Sequence, residues 1–218
     1  LGLPEGVQQK PRIRALRFLS SDRSDLDLLQ QAERRMNRKA VAFIAGRLGV
    51  RLAESGQSDS AIQFFRKSQA TFSELNMPVG EAAASTALGV LYEREKNYKE
   101  ASVQFLRGLK NFETTANSEG VISEYKNLAR ISEAQKDHAS ALEYYKKAYA
   151  KSAADSNPAK QAELNNKIAE ELLHAGKDTE ALPYLQNALP FYQRKNSKKD
   201  IAVILRNIGI VHYKTGKY

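Results

Sequence analysis

Large, small and polar positions recur every 40 residues along this chain of 218. Leu48 to Ala61 reads LGVRLAESGQSDSA, and Leu88 to Ala101 reads LGVLYEREKNYKEA. Leu128 to Ala141 reads LARISEAQKDHASA, and Ile168 to Ala181 reads IAEELLHAGKDTEA. A fifth copy opens at Ile208 as IGIVHYKTGKY. A branched aliphatic (Leu48, Leu88, Leu128, Ile168, Ile208) is followed by a small residue (Gly49, Gly89, Ala129, Ala169, Gly209). A turn centred on Gly56, Lys96, Lys136, Gly176 and Gly216 comes next. Then come an alanine (Ala61, Ala101, Ala141, Ala181) and, four residues on, a large residue (Phe65, Phe105, Tyr145, Leu185). A second small position follows at Ser68, Gly108, Ala148 and Ala188, before polar punctuation such as Asn117-Ser118 and Asn157-Pro158.

The spacing predicts a helix pair per unit: a first helix of about 15 residues, a turn of about three or four, and a second helix of nearly 20. Small residues let two helix backbones approach, and the large ones fill the space beside them. One such pair cannot bury its apolar face alone, whereas stacked pairs can. Four full units are expected at about 40–80, 81–120, 121–160 and 161–200, with a partial one at 201–218. Residues 1–39 read as an extension and a capping helix. In it, Arg12 to Leu19 can make one or two helical turns, and Ser21 or Ser24 can cap a helix over 21–37. Leu28, Leu29, Ala32 and Met36 would share its apolar face, with Arg34, Arg35 and Arg38 at its far end.

At these residues the chain resembles the tetratricopeptide repeat, over about residues 40–218. The resemblance implies an all-α, right-handed superhelical solenoid of antiparallel helix pairs. Two departures stand out. The family's first-helix Trp is replaced by Ala45, Ser85, Tyr125, Asn165 and Leu205, and the period is 40 where the usual unit has about 34. The longer unit is similar to the sensor segments placed ahead of histidine kinases or transcription regulators in bacterial signalling proteins. It is also similar to peptide-binding repeat regulators of quorum sensing. In the family the first helices line a concave face where ligand peptides lie. By register that face takes Lys126, Asn127 and Arg130, then Asn166, Lys167 and Glu170, then Arg206, Asn207 and Tyr213. In the earlier units it takes Thr86, Val90 and Arg94, and Arg47, Val50 and Glu54. A carboxamide at Asn127 or Asn207 can both donate to and accept from an extended backbone. The cations beside it would attract acidic groups or a terminal carboxylate. The chaperone-tail carboxylate clamp is disfavoured: only Asn127 and Lys167 match it, and Glu163 has the wrong sign.

Composition narrows the function further. With no cysteine there is no disulfide framework and no thiolate metal site. The net charge of +9 is uneven: residues 1–51 and 194–218 each carry +6, and the middle carries −3. Nucleic-acid binding is disfavoured, because a groove for it would run as a basic stripe along the repeats. No apolar run of about 18 residues is present, so no membrane span is expected. The chain opens Leu1-Gly2-Leu3 without Met and stops within a repeat at Tyr218, and is read as a fragment or processed form.

His138 is expected in a turn facing solvent, His174 near a helix C-terminus, and His212 at a packing position. None has metal-ligand spacing, and no cofactor is expected. Glu93, Glu95, Glu170 and Glu171 read as solvated faces, and catalysis is not expected. The fifth unit's apolar positions Ile204, Leu205, Ile208 and Val211 lack a second helix, so that end should fray, pack on another segment or self-associate. The resulting expectation is a non-catalytic protein- or peptide-binding module, the sensor or scaffold part of a larger bacterial signalling protein. The alternatives are a structural self-assembly module and a cytoplasmic peptide-responsive regulator. The compartment, cytoplasmic or periplasmic, stays open.

Overall fold

The structure, a computed structural model, describes residues 20–152 and 157–216. The expected turns at Arg12 to Leu19 lie outside the described residues. Among the described residues ten helices follow in order: α1 (Ser20–Arg34), α2 (Arg38–Glu54), α3 (Ser58–Glu74), α4 (Pro78–Arg94), α5 (Tyr98–Thr114), α6 (Ser118–Ala134), α7 (His138–Ser152), α8 (Pro158–His174), α9 (Asp178–Arg194) and α10 (Lys198–Lys214). First and second helices do not differ in length as expected. α2 to α6 and α8 to α10 all have 17 residues.

The equal lengths come from one turn used throughout. At each described junction, three residues separate the helices, and the middle one has positive φ: Met36, Gly56, Asn76, Lys96, Ala116, Lys136, Gly176 and Asn196. The amide after it donates back to a carbonyl five residues earlier, as Asn97 does to Tyr92 (2.8 Å) and Lys177 to Leu172 (2.8 Å). That bond satisfies an orphan carbonyl and closes a Schellman turn. The donating residue is also the N-cap of the next helix. Asn37, Asn97, Asn117, Asp137 and Asn157 each accept from a backbone amide two or three residues on. Pro158 then takes a first helical position that needs no donor. So one helix ends and the next begins on a single residue.

The chain forms two compact units, Leu1–Ala84 and Ser85–Tyr218. In the first, α1 packs on α2 and α2 on α3. Leu29 and Ala32 of α1 join Val41 and Leu48 of α2 in the core. Leu28 and Met36 do not share that face: Met36 is 83% exposed because it occupies the left-handed turn position, not the helix. Arg38 opens α2 instead of ending α1, and Ser21 and Ser24 lie inside α1. Buried Asp25 is held by Arg47 and Arg51 of α2. Gly49 permits close contact, since a Cβ there would stand 2.7 Å from the Phe65 ring of α3.

The second unit repeats the device. A Cβ on Gly89 would fall 2.5 Å from the Phe105 ring. From α5 onward each helix packs on its neighbour in sequence. Tyr145, Leu164, Ile168, Leu172 and Leu185 form the centre of one core that reaches Ile204 and Val211 of α10. Those last two are therefore buried, contrary to the expectation that they stand uncovered. α10 is helical to Lys214, without fraying among the described residues. Its other apolar side, with Leu205 at 50% exposure, is open.

Candidate functional site

All nine candidate residues fall on first helices of the second unit: α6, α8 and α10. The register puts them there because residues 40 apart occupy equivalent turns of successive first helices. What surrounds them is a ladder of opposite charges between those helices. Arg130 of α6 grips Glu93 of α4 with both ends of its fork, Nε to Oε1 at 3.1 Å and Nη2 to Oε2 at 2.6 Å. The hydrogen bond to Glu93 holds the Arg130 pKa above its usual value, against the pull of burial. Lys126 of α6 pairs with Glu163 of α8 at 2.6 Å, and Lys160 of α8 with Glu119 of α6 at 2.8 Å. Lys167 of α8 reaches Glu133 of α6 at 3.3 Å and Glu170 at 3.1 Å. Burial pulls the Lys167 pKa down, but the two carboxylates outweigh it and the net shift is upward.

Between the first halves of α6 and α8 these pairs frame a cleft of about 190 Å³. Ile122 and Leu164 supply its apolar lining, and exposed Ser123 stands at its edge. The cleft thus has two ion pairs and an apolar surface within one short span. Such a lining suits a short stretch of chain with a polar backbone and apolar side chains.

The carboxamides are hydrogen-bonded within the fold. Asn127 and Asn207 are only 6% and 4% exposed. Asn127 donates Nδ2 to Glu124 Oε2 at 3.0 Å, and Asn207 Oδ1 accepts from Arg206 Nη2 at 3.3 Å. Asn166 likewise donates to Glu170 Oε1 at 2.9 Å. Tyr213 is largely exposed near the end of α10. Lys126 and Lys167 each reach a glutamate on the other's helix, Glu163 and Glu133.

Two glutamates lie deeper. Glu124 is fully buried, accepts from Thr86 and Asn127, and sits against Gly108, where a Cβ would be 2.8 Å from Oε1. Burial pushes its pKa up, and the two hydrogen bonds oppose this. Glu171, expected on a solvated face, is 2% exposed. His138, expected in solvent, opens α7 and places Nδ1 2.8 Å from Glu171 Oε2. It also stacks on His174 at 4.5 Å between ring centroids. Burial raises the Glu171 pKa, His138 opposes the rise, and neighbouring Glu133 adds to it. His212 is half-buried as expected, with Nδ1 lacking a hydrogen-bond partner among the described residues.

Sequence reasoning missed the carboxylate half of the ladder: Glu93, Glu119, Glu133 and Glu163. A signal existed. Arg130 and Glu93 are 37 residues apart, and Lys167 and Glu133 are 34 apart. Both offsets are one 40-residue unit less about one helical turn or two, which sets opposite charges side by side on adjacent first helices. Among the described residues no group of three acidic, His or Cys side chains could hold a metal, and no helix is long and apolar enough to cross a membrane.

No family profile and no curated protein matches the chain. Solved structures do. BtubC from P. vanneervenii is 19% identical, covering 89% of this chain and 83% of its own, with a TM-score of 0.71. Aspartyl phosphate phosphatase F from Bacillus subtilis is 18% identical, covering 88% of this chain and 51% of its own, with a TM-score of 0.66. The chain thus spans about half the length of that protein. YrrB, described as a TPR protein with an unusual peptide-binding site, is 18% identical, covering 84% of this chain and 91% of its own, with a TM-score of 0.54. At such identities the likeness is one of fold. The chain has an all-α, tetratricopeptide-like fold of antiparallel helix pairs.

Proposed function

We propose that the chain is a non-catalytic protein- or peptide-binding repeat module, the sensor or scaffold part of a larger signalling protein. Its binding face is the first-helix face of the second unit, centred on the cleft between α6 and α8. The observation that carries this is the lining of that cleft. The Lys126–Glu163 and Lys160–Glu119 pairs present donors and acceptors beside Ile122 and Leu164. A peptide can exchange its own polar groups with half-exposed pairs such as these at small cost, because exposed pairs are worth at most about 1 kcal/mol. The likeness to YrrB, whose description names a peptide-binding site, supports the same reading.

Because Arg130 and Lys167 are already paired, the face has little excess positive charge to offer. The ligand is then a segment of mixed character, not a polyanion. Random-peptide display against the whole chain, followed by affinity measurements with Ser123→Trp, tests this. The indole fills the cleft from its exposed edge. Enriched peptides should lose at least about tenfold in affinity to that variant, about 1.4 kcal/mol, with its melting temperature unchanged. Peptides that bind Ser123→Trp as tightly as the original chain would overturn the assignment.

A further inference from the structure

Where α6 ends, α7 begins and α8 ends, titratable side chains from all three helices meet. His138, the first residue of α7, places Nδ1 2.8 Å from Glu171 Oε2 in the last turn of α8. Glu133, in the last turn of α6, lies within hydrogen-bonding reach of Glu171 and of the buried Tyr145 hydroxyl of α7. Glu171 is 2% exposed, and it stands where α4, α6 and α10 bury Leu91, Ile131 and Val211 by register. An acid among core aliphatics violates the local pattern, and such violations concentrate at functional sites. Glu133 and His138 are half-buried, so the group has a route to water.

The charges around this contact do not balance without a proton. Glu133, Glu170 and Glu171 gather about Lys167 of α8, which is shared between Glu133 at 3.3 Å and Glu170 at 3.1 Å. Arg130 of α6 is held by Glu93 through both ends of its fork. Asp137, which caps α7, adds a negative charge beside His138. Two carboxylates in contact resist ionising together, and groups coupled this closely take up and lose protons as a set. Burial raises the Glu171 carboxyl above its ordinary value; His138 opposes the rise and Glu133 adds to it. His138 also stacks on exposed His174 at 4.5 Å between centroids. Positive charge on both rings would repel, so the imidazole that keeps a proton is the one against Glu171.

We propose that Glu133, Glu171 and His138 form a clasp closed by one shared proton, and that its loss to water lets the ends of α6 and α8 move apart. With the proton on His138, the imidazolium neutralises Glu171 beside Glu133. With the proton on Glu171, its hydroxyl donates to Glu133. Both arrangements hold α8 to its neighbours. With the proton gone, Glu133 and Glu171 repel across the α6–α8 contact. The sign agrees with the raised Glu171 carboxyl, whose contribution to stability is lost as pH rises through its folded value. The clasp joins the two helices that line the α6–α8 cleft but shares no residue with that lining. It stands whether or not the cleft binds a peptide.

The chain has no cysteine, so two can be introduced without side reactions. Gln135 and Ala175, the exposed C-caps of α6 and α8, become labelling sites as Gln135→Cys and Ala175→Cys. Nitroxides there report the spacing of the helix ends in the whole chain by pulsed electron double resonance. The distance should lengthen by about 1–2 Å, the scale of helix shifts at packed contacts, as pH rises from about 5.5 to about 8.5. Glu171→Gln and Glu133→Gln should each abolish the shift, because an amide donates to the remaining carboxylate at every pH. Glu133→Gln alters a half-buried side chain and reads the same repulsion without touching the core. Glu124→Gln, which removes the other buried acid of this unit's first helices, should leave the shift intact. A distance indifferent to pH in the original chain would overturn the proposal. So would a shift that survives in Glu133→Gln or disappears in Glu124→Gln.

Discussion

Glu124 occupies a place where the other first helices carry apolar or small residues: Ala84, Leu164 and Ile204 by register. Burial raises its pKa because the carboxylate loses water that Thr86 and Asn127 only partly replace. The sign of the linkage follows. A carboxyl whose folded pKa lies above its ordinary 4.5 favours the fold while protonated, and that contribution is lost as pH rises through the folded value. Thermal melts across that window should therefore show the chain losing stability with rising pH through this group. Glu124→Gln should flatten the trend, and a slope as steep in the variant would contradict the assignment. Register could not reveal this residue. It says which turn faces a neighbouring helix, but the mate at that height comes from the preceding repeat, 38 residues earlier at Thr86. The same holds for the partner of Asn127. Its position on the first-helix face was legible, but its donation to Glu124 was not.

The helical element repeats more simply than its sequence suggests. Helix plus turn spans 20 residues, and the turn is the same between pairs as within them: positive φ falls at Met36, Gly56, Asn76, Lys96, Ala116, Lys136, Gly176 and Asn196. Glycine marks only Gly56 and Gly176 among these; the turn at Ala116 is signalled by the Asn117-Ser118 that follows it. An L-residue in the left-handed region costs about 1–2 kcal/mol, least for Asn. Ala116→Gly should therefore stabilise the second unit by about 1 kcal/mol, and Gly176→Ala should destabilise it by a similar amount, in denaturant melts. Equal changes of the same sign at both sites would show that these turns do not set the helix ends. The equal helix lengths follow from the even spacing of the turns.

At the scale of the whole chain, the uneven charge acquires a structural meaning. The cations of the middle repeats are spent on carboxylates of neighbouring first helices, as with Arg130–Glu93 and Lys126–Glu163. In the last helix Lys214 likewise pairs with Asp178 of α9, at 2.9 Å. The α6–α8 cleft, framed by paired charges, therefore suits a segment of mixed polarity. The helix-pair architecture and the first-helix location of the candidate face were legible, because both depend on positions 40 apart. The charge pairing was not, because it depends on which side chains meet across helices. Hydrogen–deuterium exchange of the full chain, with and without a display-selected peptide, tests the central claim most directly. Binding at the first-helix face predicts slowed exchange at residues 119–126 of α6 and 160–164 of α8. Slowed exchange confined to α7 and α9, with α6 and α8 unchanged, would contradict it.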